Sequence, residues 1–276
     1  MVRSHIFFLY GAMIFFLSVQ TSQTSGQELP IFDAHVHYNQ PDWSVYSPDA
    51  ILKLFDRAGV IRAMVSSTPD DGTIKLYEKS PTRIVPILRP YRTDADRGSW
   101  TKDSSVLTYV EERLGKGIYR GIGEFHMSAG QAYTPVVRGF VQLAIRRGIL
   151  LYAHTDYTGV EELLHLDPKV QVLWAHAGMS AKPETIGQLL DRYAKLSVEL
   201  SIRDDFAPRD RLDPAWRDLF LRHSDRFLVG SDTWTTSRWE NFAEIHATFR
   251  AWLNELPREV AEKLASKNGS RLVGKP

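Results

Sequence analysis

The chain contains no cysteine. That absence excludes disulfides, iron–sulfur clusters, thiolate-held metals and a cysteine nucleophile together, so any metal must rest on histidine and carboxylates. An excess of one charge is also missing. With 34 Lys and Arg against 33 Asp and Glu, the formal charge is +1, which supplies no pull on a polyanion. A small-molecule substrate is expected, and no nucleic-acid partner. The 18 glycines and 14 prolines follow no period, which argues against collagen and low-complexity disorder in a chain of 276 residues.

What is present begins with Arg3, an apolar run over residues 6–19 and a polar stretch over 20–27. This order is that of a secretory signal, and the run falls short of the roughly 20 apolar residues that span a bilayer. Residues 1–26 are expected to be a signal peptide, removed on export to a periplasm or the medium. No second candidate span follows, so no stable membrane insertion is expected after its removal. Arg3 is the only basic residue in that leader, and the first acid is Glu28, so the exported chain is formally neutral.

Residues 27–276 suffice for one large domain. Short β-rich apolar runs recur at 31–37, 63–68, 83–89, 119–126, 149–155, 170–176, 196–202 and 227–232. Helical patterns separate them, with start and stop signals: Ser47-Pro48 before 50–58 and Gly59 after, Ser104-Ser105 before 106–114 and Gly115 after, Pro135 opening 135–147 before Gly148. Further helices are expected over 183–193, 214–223 and 238–256. Alternating strands and helices imply a parallel sheet, and eight units with polar residues gathered at one end imply an α/β fold, a single-domain (β/α)8 TIM barrel.

Those polar residues carry the functional argument. The first strand reads Asp33-Ala34-His35-Val36-His37, and alternation would turn Asp33, His35 and His37 to one face. The fourth ends Gly123-Glu124-Phe125-His126, the fifth Tyr152-Ala153-His154, the sixth Trp174-Ala175-His176 and the eighth Gly230-Ser231-Asp232. Imidazoles and carboxylates gathered unpaired at one end of a barrel would cost roughly several kcal/mol each in desolvation. A divalent cation removes that penalty, and barrel active sites lie at this end of the strands.

The arrangement resembles the amidohydrolase superfamily: His-x-His on the first strand, Lys or Glu on the fourth, His on the fifth and sixth, Asp on the eighth. The closing Asn268-Gly269-Ser270-Arg271-Leu272 is similar to the Asn-x-x-Arg-Leu ending of amidohydrolase-related proteins. Asp33-Ala34-His35-Val36-His37 and Trp174-Ala175-His176-Ala177-Gly178 look most like the branch of decarboxylases and pyrone dicarboxylate lactonases. Gly121-Ile122-Gly123-Glu124 is instead similar to TatD-type hydrolases, where the glutamate bridges two metals. The resemblance implies a metal held by His35, His37, Glu124, His154, His176 and Asp232, with Asp232 and His176 catalytic.

Two ligand schemes stay open. With two ions, His35, His37 and Asp232 hold one, His154 and His176 the other, and Glu124 bridges them. With one ion, His35, His37, His154 and Asp232 hold it, and His176 orients substrate or acts as the base. Zinc is the first choice, with Mn2+, Fe2+ and Ni2+ compatible with the same donors. A water brought to a pKa of about 7 would attack a polarised carbonyl, and Asp232 would accept its proton.

For the substrate, His126 shares the direction of Glu124, Arg89 and Arg92 follow the third strand, Arg203 follows the seventh, and Trp234 and Trp239 offer an apolar wall. His5 lies in the leader, and His165, His223 and His246 read as structural or surface residues. The activity expected is hydrolysis of a C–O or C–N bond in a lactone, ester or amide. Non-oxidative decarboxylation and a catalytically silent exported metal-binding barrel are the alternatives. A homo-oligomer is compatible with all three.

Overall fold

Eight strands, β1 (Ile31–Val36), β2 (Val60–Val65), β3 (Ile84–Leu88), β4 (Gly121–His126), β5 (Leu150–His154), β6 (Val172–Trp174), β7 (Leu196–Glu199) and β8 (Phe227–Leu228), pair in parallel in chain order. The ring closes where Ala34 N–H donates to the Val229 carbonyl (2.9 Å) and Asp232 N–H to the His35 carbonyl (2.7 Å). This is the (β/α)8 barrel expected from the sequence. The computed structural model describes Met1, residues 28–208 and residues 211–274; apart from Met1, the expected signal peptide lies outside the described residues. No helix among the described residues is long and apolar enough to cross a membrane.

Crossovers are made by α1 (Pro48–Arg57), α2 (Asp71–Lys79), α3 (Ser105–Leu114), α4 (Pro135–Arg147), α5 (Tyr157–Leu166), α6 (Pro183–Arg192) and α7 (Pro214–Arg222). Their starts have local causes. Ser47, Thr134 and Asp213 accept hydrogen bonds from first-turn amides, and each precedes a proline whose fixed φ suits the first helical position. The single helix expected over 238–256 is instead two, α8 (Thr236–Glu240) and α9 (Phe242–Leu253). Asn241, at φ −96° and ψ 11°, bends the chain so that Trp239 and Phe242 stack on each other (5.2 Å) and on Phe55. Beneath the barrel, α10 (Arg258–Glu262) leads towards α11 (Asn268–Val273), whose Val273 joins the interior cluster of Phe32, Ala34, Met64, Leu150 and Leu173.

Two irregularities set the upper end. Along β1, Asp33 pairs with Ala63 and Val36 with Val65, so three steps of β1 match two of β2. Ala34 therefore packs in the interior and Val36 in the outer layer, although two residues apart. That extra residue is a bulge, and it turns His35 and His37 inward while Asp33 faces the helices. Strict alternation, which put all three on one face, fails here. Along β4 a second shift falls between Gly123 and Phe125. Gly123 sits at φ 143°, where a Cβ would lie 2.2 Å from the Tyr152 carbonyl oxygen, so only glycine fits.

Candidate metal centre

His35, His37 and His176 are fully enclosed, and each spends one ring nitrogen on an acceptor. His35 Nδ1 donates to Glu199 Oε2 (3.0 Å), His176 Nδ1 to the Ser201 carbonyl (3.0 Å) and His37 Nδ1 to the Ser66 carbonyl. Carboxylate and carbonyl oxygens only accept, so these nitrogens carry the ring protons, and each Nε2 is left with a lone pair. The His35 and His37 Nε2 atoms nevertheless face each other at 3.1 Å. Two lone pairs at hydrogen-bond distance repel unless a positive charge lies between them.

The carboxylates complete that requirement. Asp232 Oδ1 lies 3.5 Å from His35 Nε2 and 3.2 Å from His37 Nε2, and Glu124 Oε2 lies 3.4 and 3.3 Å from the same atoms. Asp232 Oδ1 is enclosed and receives no hydrogen bond. One ligand atom from each of His35, His37 and Asp232 lies within 4.8 Å of the others, a spacing at which three donors can share one ion. The residues fit a divalent cation. Burial opposes charge on His35, yet Asp232, Glu124 and Glu199 hold its pKa well above the usual imidazole range. Three anions around one ring favour positive charge there, whether proton or metal.

Glu124 reaches a second set with its other oxygen. Oε1 lies 2.7 Å from His154 Nδ1 and 3.3 Å from His176 Nε2. Despite burial, the positive charge favoured at His35 and the imidazoles of His154 and His176 set against its oxygens hold its pKa well below the usual carboxylate range. Asp232 is also lowered: burial is overcome by the charge favoured at His35 and by His37. All six expected ligands therefore meet at one end of the barrel. Two of them, His176 (φ 54°) and Asp232 (φ 47°), adopt left-handed backbone, which ends β6 at Trp174 rather than at residue 176.

Glu199 escaped the sequence reading, although it ends β7 as Glu124 ends its own strand core. It is buried, and besides His35 Nδ1 it accepts the backbone N–H groups of His176 (3.2 Å) and Ser201. Glu199→Gln must place an NH2 against one of these donors. It is expected to leave the barrel folded and to weaken zinc affinity by roughly 10–100-fold, measured by competition with a chromophoric chelator. A change of less than about threefold would remove Glu199 from the control of His35. Asp33 has a different part: Oδ1 accepts from the His35 (3.0 Å) and Ser231 (2.9 Å) amides, and Oδ2 faces His246 Nε2 (3.0 Å) on α9. His246 is thus structural, as expected, and through Asp33 ties α9 to β1 and to the segment after β8.

The expected substrate residues divide. His126 lines the cavity above the expected ligands, and its Nδ1 and the Tyr91 hydroxyl are hydrogen-bonded (3.2 Å). Burial, opposed in part by Glu124, pushes the His126 pKa down to about 3, so it is neutral at neutral pH. Trp234 stands exposed on the rim, whereas Trp239 is buried against Phe55. Arg89 is enclosed and donates to Glu124 Oε2 (2.9 Å) and the Glu124 carbonyl (3.1 Å), so it holds Glu124 in place. Arg92 and Arg203 lie elsewhere than expected. Arg92 pairs with Asp96 and Asp103 on the outside, and Arg203 pairs with Asp205 while donating to the Ala177 and Ala181 carbonyls.

A closed parallel barrel with imidazoles and carboxylates converging above its strands defines a metal-dependent hydrolase-like enzyme. The chain belongs to the amidohydrolase family, whose model, described as Amidohydrolase, matches residues 102–275. Among solved structures it is similar to a putative 2-pyrone-4,6-dicarboxylic acid hydrolase from Pseudomonas putida, with 15% identity and a TM-score of 0.63 over 89% of this chain and 98% of that one. A TatD homolog from Escherichia coli gives 17% identity and 0.63, over 89% and 98%. An amidohydrolase from Burkholderia multivorans gives 14% and 0.59, over 90% and 100%. Among curated proteins, no sequence matches.

Proposed function

We propose that this chain hydrolyses a C–O or C–N bond in a lactone, ester or amide of a small organic molecule, using two divalent ions, zinc first among them. The observation that carries this reading is Glu124, whose two oxygens face two different sets of imidazoles. His35, His37 and Asp232 would hold one ion and His154 and His176 the other. When bound, the ions supply Lewis acidity and bring a water towards a pKa of about 7. Asp232, ionised because His35 and His37 oppose its burial, accepts the proton released as the bond is attacked. Arg89 fixes Glu124, and His126 faces the substrate as a neutral ring. The leader over 1–26 and the lack of cysteine support action outside the cytoplasm.

Two measurements test this reading. Asp232, Glu124 and Glu199 raise the proton affinity of His35 in the metal-free protein, so zinc competes there with a proton. Zinc affinity should therefore fall as pH falls, with protons released on binding, read by calorimetry in buffers of different ionisation enthalpy. Binding without proton release would contradict the ligand assignment. The zinc-loaded protein should then liberate acid from members of a lactone, ester and amide panel. Carbon dioxide release without water consumption would move the chain to the decarboxylases, and saturation with metal but no turnover would leave a binding barrel.

A further inference from the structure

We infer that Arg97 holds a carboxylate of the substrate, so that the molecule taken up is an anion with an apolar body. Arg97 lies on a short 3-10 segment, Asp94–Gly98, after β3. It is exposed, and it lines two adjoining chambers at the mouth: an inner one of 330 Å3 over the metal ligands and an outer one of 520 Å3. His126, His154 and Met179 line both chambers too, so Arg97 stands where the reacting end of a substrate gives way to its remainder.

Every other guanidinium near the mouth is committed. Arg89 serves Glu124, Arg92 serves Asp96 and Asp103, and Arg203 serves Asp205, whereas Arg97 has no carboxylate partner among the described residues. The acids that face it are themselves occupied. Glu124 and Asp232 turn to the imidazoles, and Asp156, in the outer chamber, caps α5 by accepting from Gly159 N–H (2.8 Å). An unpaired guanidinium beside an enclosed site is a ready donor to a planar carboxylate.

The remainder of the inner rim is apolar. Met179, Ile202 and Trp234 are 50%, 44% and 55% exposed, and all three line the inner chamber. Met179 (φ 64°) and Ile202 (φ 61°) reach that position through left-handed backbone, which is uncommon for residues with large side chains. Large side chains kept exposed around a cavity mark a surface that a ligand covers. An apolar rim with one free guanidinium selects a molecule with one apolar and one anionic part.

This inference rests on the hydrolase reading only for which end of the substrate reacts, and its test is one of binding. The zinc-loaded protein is titrated calorimetrically with phenylacetate, 3-phenylpropionate and phthalate, each against its amide. At least one acid should bind about tenfold more tightly than its amide, and added salt should weaken the acid alone. Arg97→Ala should abolish that preference, Arg97→Lys should restore part of it, and Trp234→Ala should weaken acid and amide alike. If no acid is preferred, or if the preference survives in Arg97→Ala because the metal centre itself takes the carboxylate, the inference fails. Turnover of neutral esters and lactones is measured separately, so loss of the anchor and loss of the hydrolase reading are distinguishable.

Discussion

Asp232→Asn is expected to reduce turnover by roughly two to four orders of magnitude at saturating zinc, equivalent to about 3–5 kcal/mol of barrier, with the barrel intact. The substitution is nearly isosteric, and asparagine tolerates the positive φ of 47° at this position better than most residues. The Asp232 N–H bond to the His35 carbonyl (2.7 Å), which helps close the ring, is a backbone bond and survives. What disappears is a charge and a base. The native carboxylate is kept ionised by His35 and His37, whereas a neutral amide neither accepts a proton from water nor balances the cation beside it. Metal content is to be measured alongside the rate, since loss of both would report a ligand and loss of rate alone a proton acceptor. Normal turnover on a substrate from the panel would end the assigned role.

The His35→Ala/His37→Ala pair addresses the metal itself. In the unaltered protein, zinc at a thousandfold over its dissociation constant adds about 4 kcal/mol of stability, which for a domain of this size raises Tm by about 10 °C. The double variant should show a zinc-dependent shift below about 1 °C and no retained zinc after dialysis. Both rings are enclosed, so their removal leaves space, but it also removes the two ring nitrogens that face each other at 3.1 Å. The metal-free variant is therefore expected to fold, with an unchanged circular dichroism spectrum. An unaltered thermal response to zinc would show that the ion binds elsewhere.

The sequence revealed the site through residues that are out of place by ordinary burial rules. Histidines and acids at the ends of apolar strands need no long-range information to be noticed, and neither do proline and glycine at helix ends. The bulges were hidden because period-two reading assumes one residue per step. It turned Asp33 the wrong way and could not show that Ala34 and Val36 face opposite layers. Glu199 was visible by the rule that found Glu124, yet in Leu196-Ser197-Val198-Glu199-Leu200 it looks like an alternating solvent-facing residue. The arginines failed for another reason. Which guanidinium is free depends on which acids are already taken, and that is decided by pairing across the fold, as with Arg92 and Asp103.

The left-handed turns at His176 and Asp232 set heat tolerance against catalysis. Such backbone carries a steric cost at a residue with a β-carbon, which glycine escapes and asparagine tolerates. Where zinc is scarce and its binding adds no stability, a laboratory lineage selected only for survival at high temperature would drift towards those residues at positions 176 and 232, and would emerge inert. Any breeding scheme for this scaffold therefore has to hold these two codons fixed.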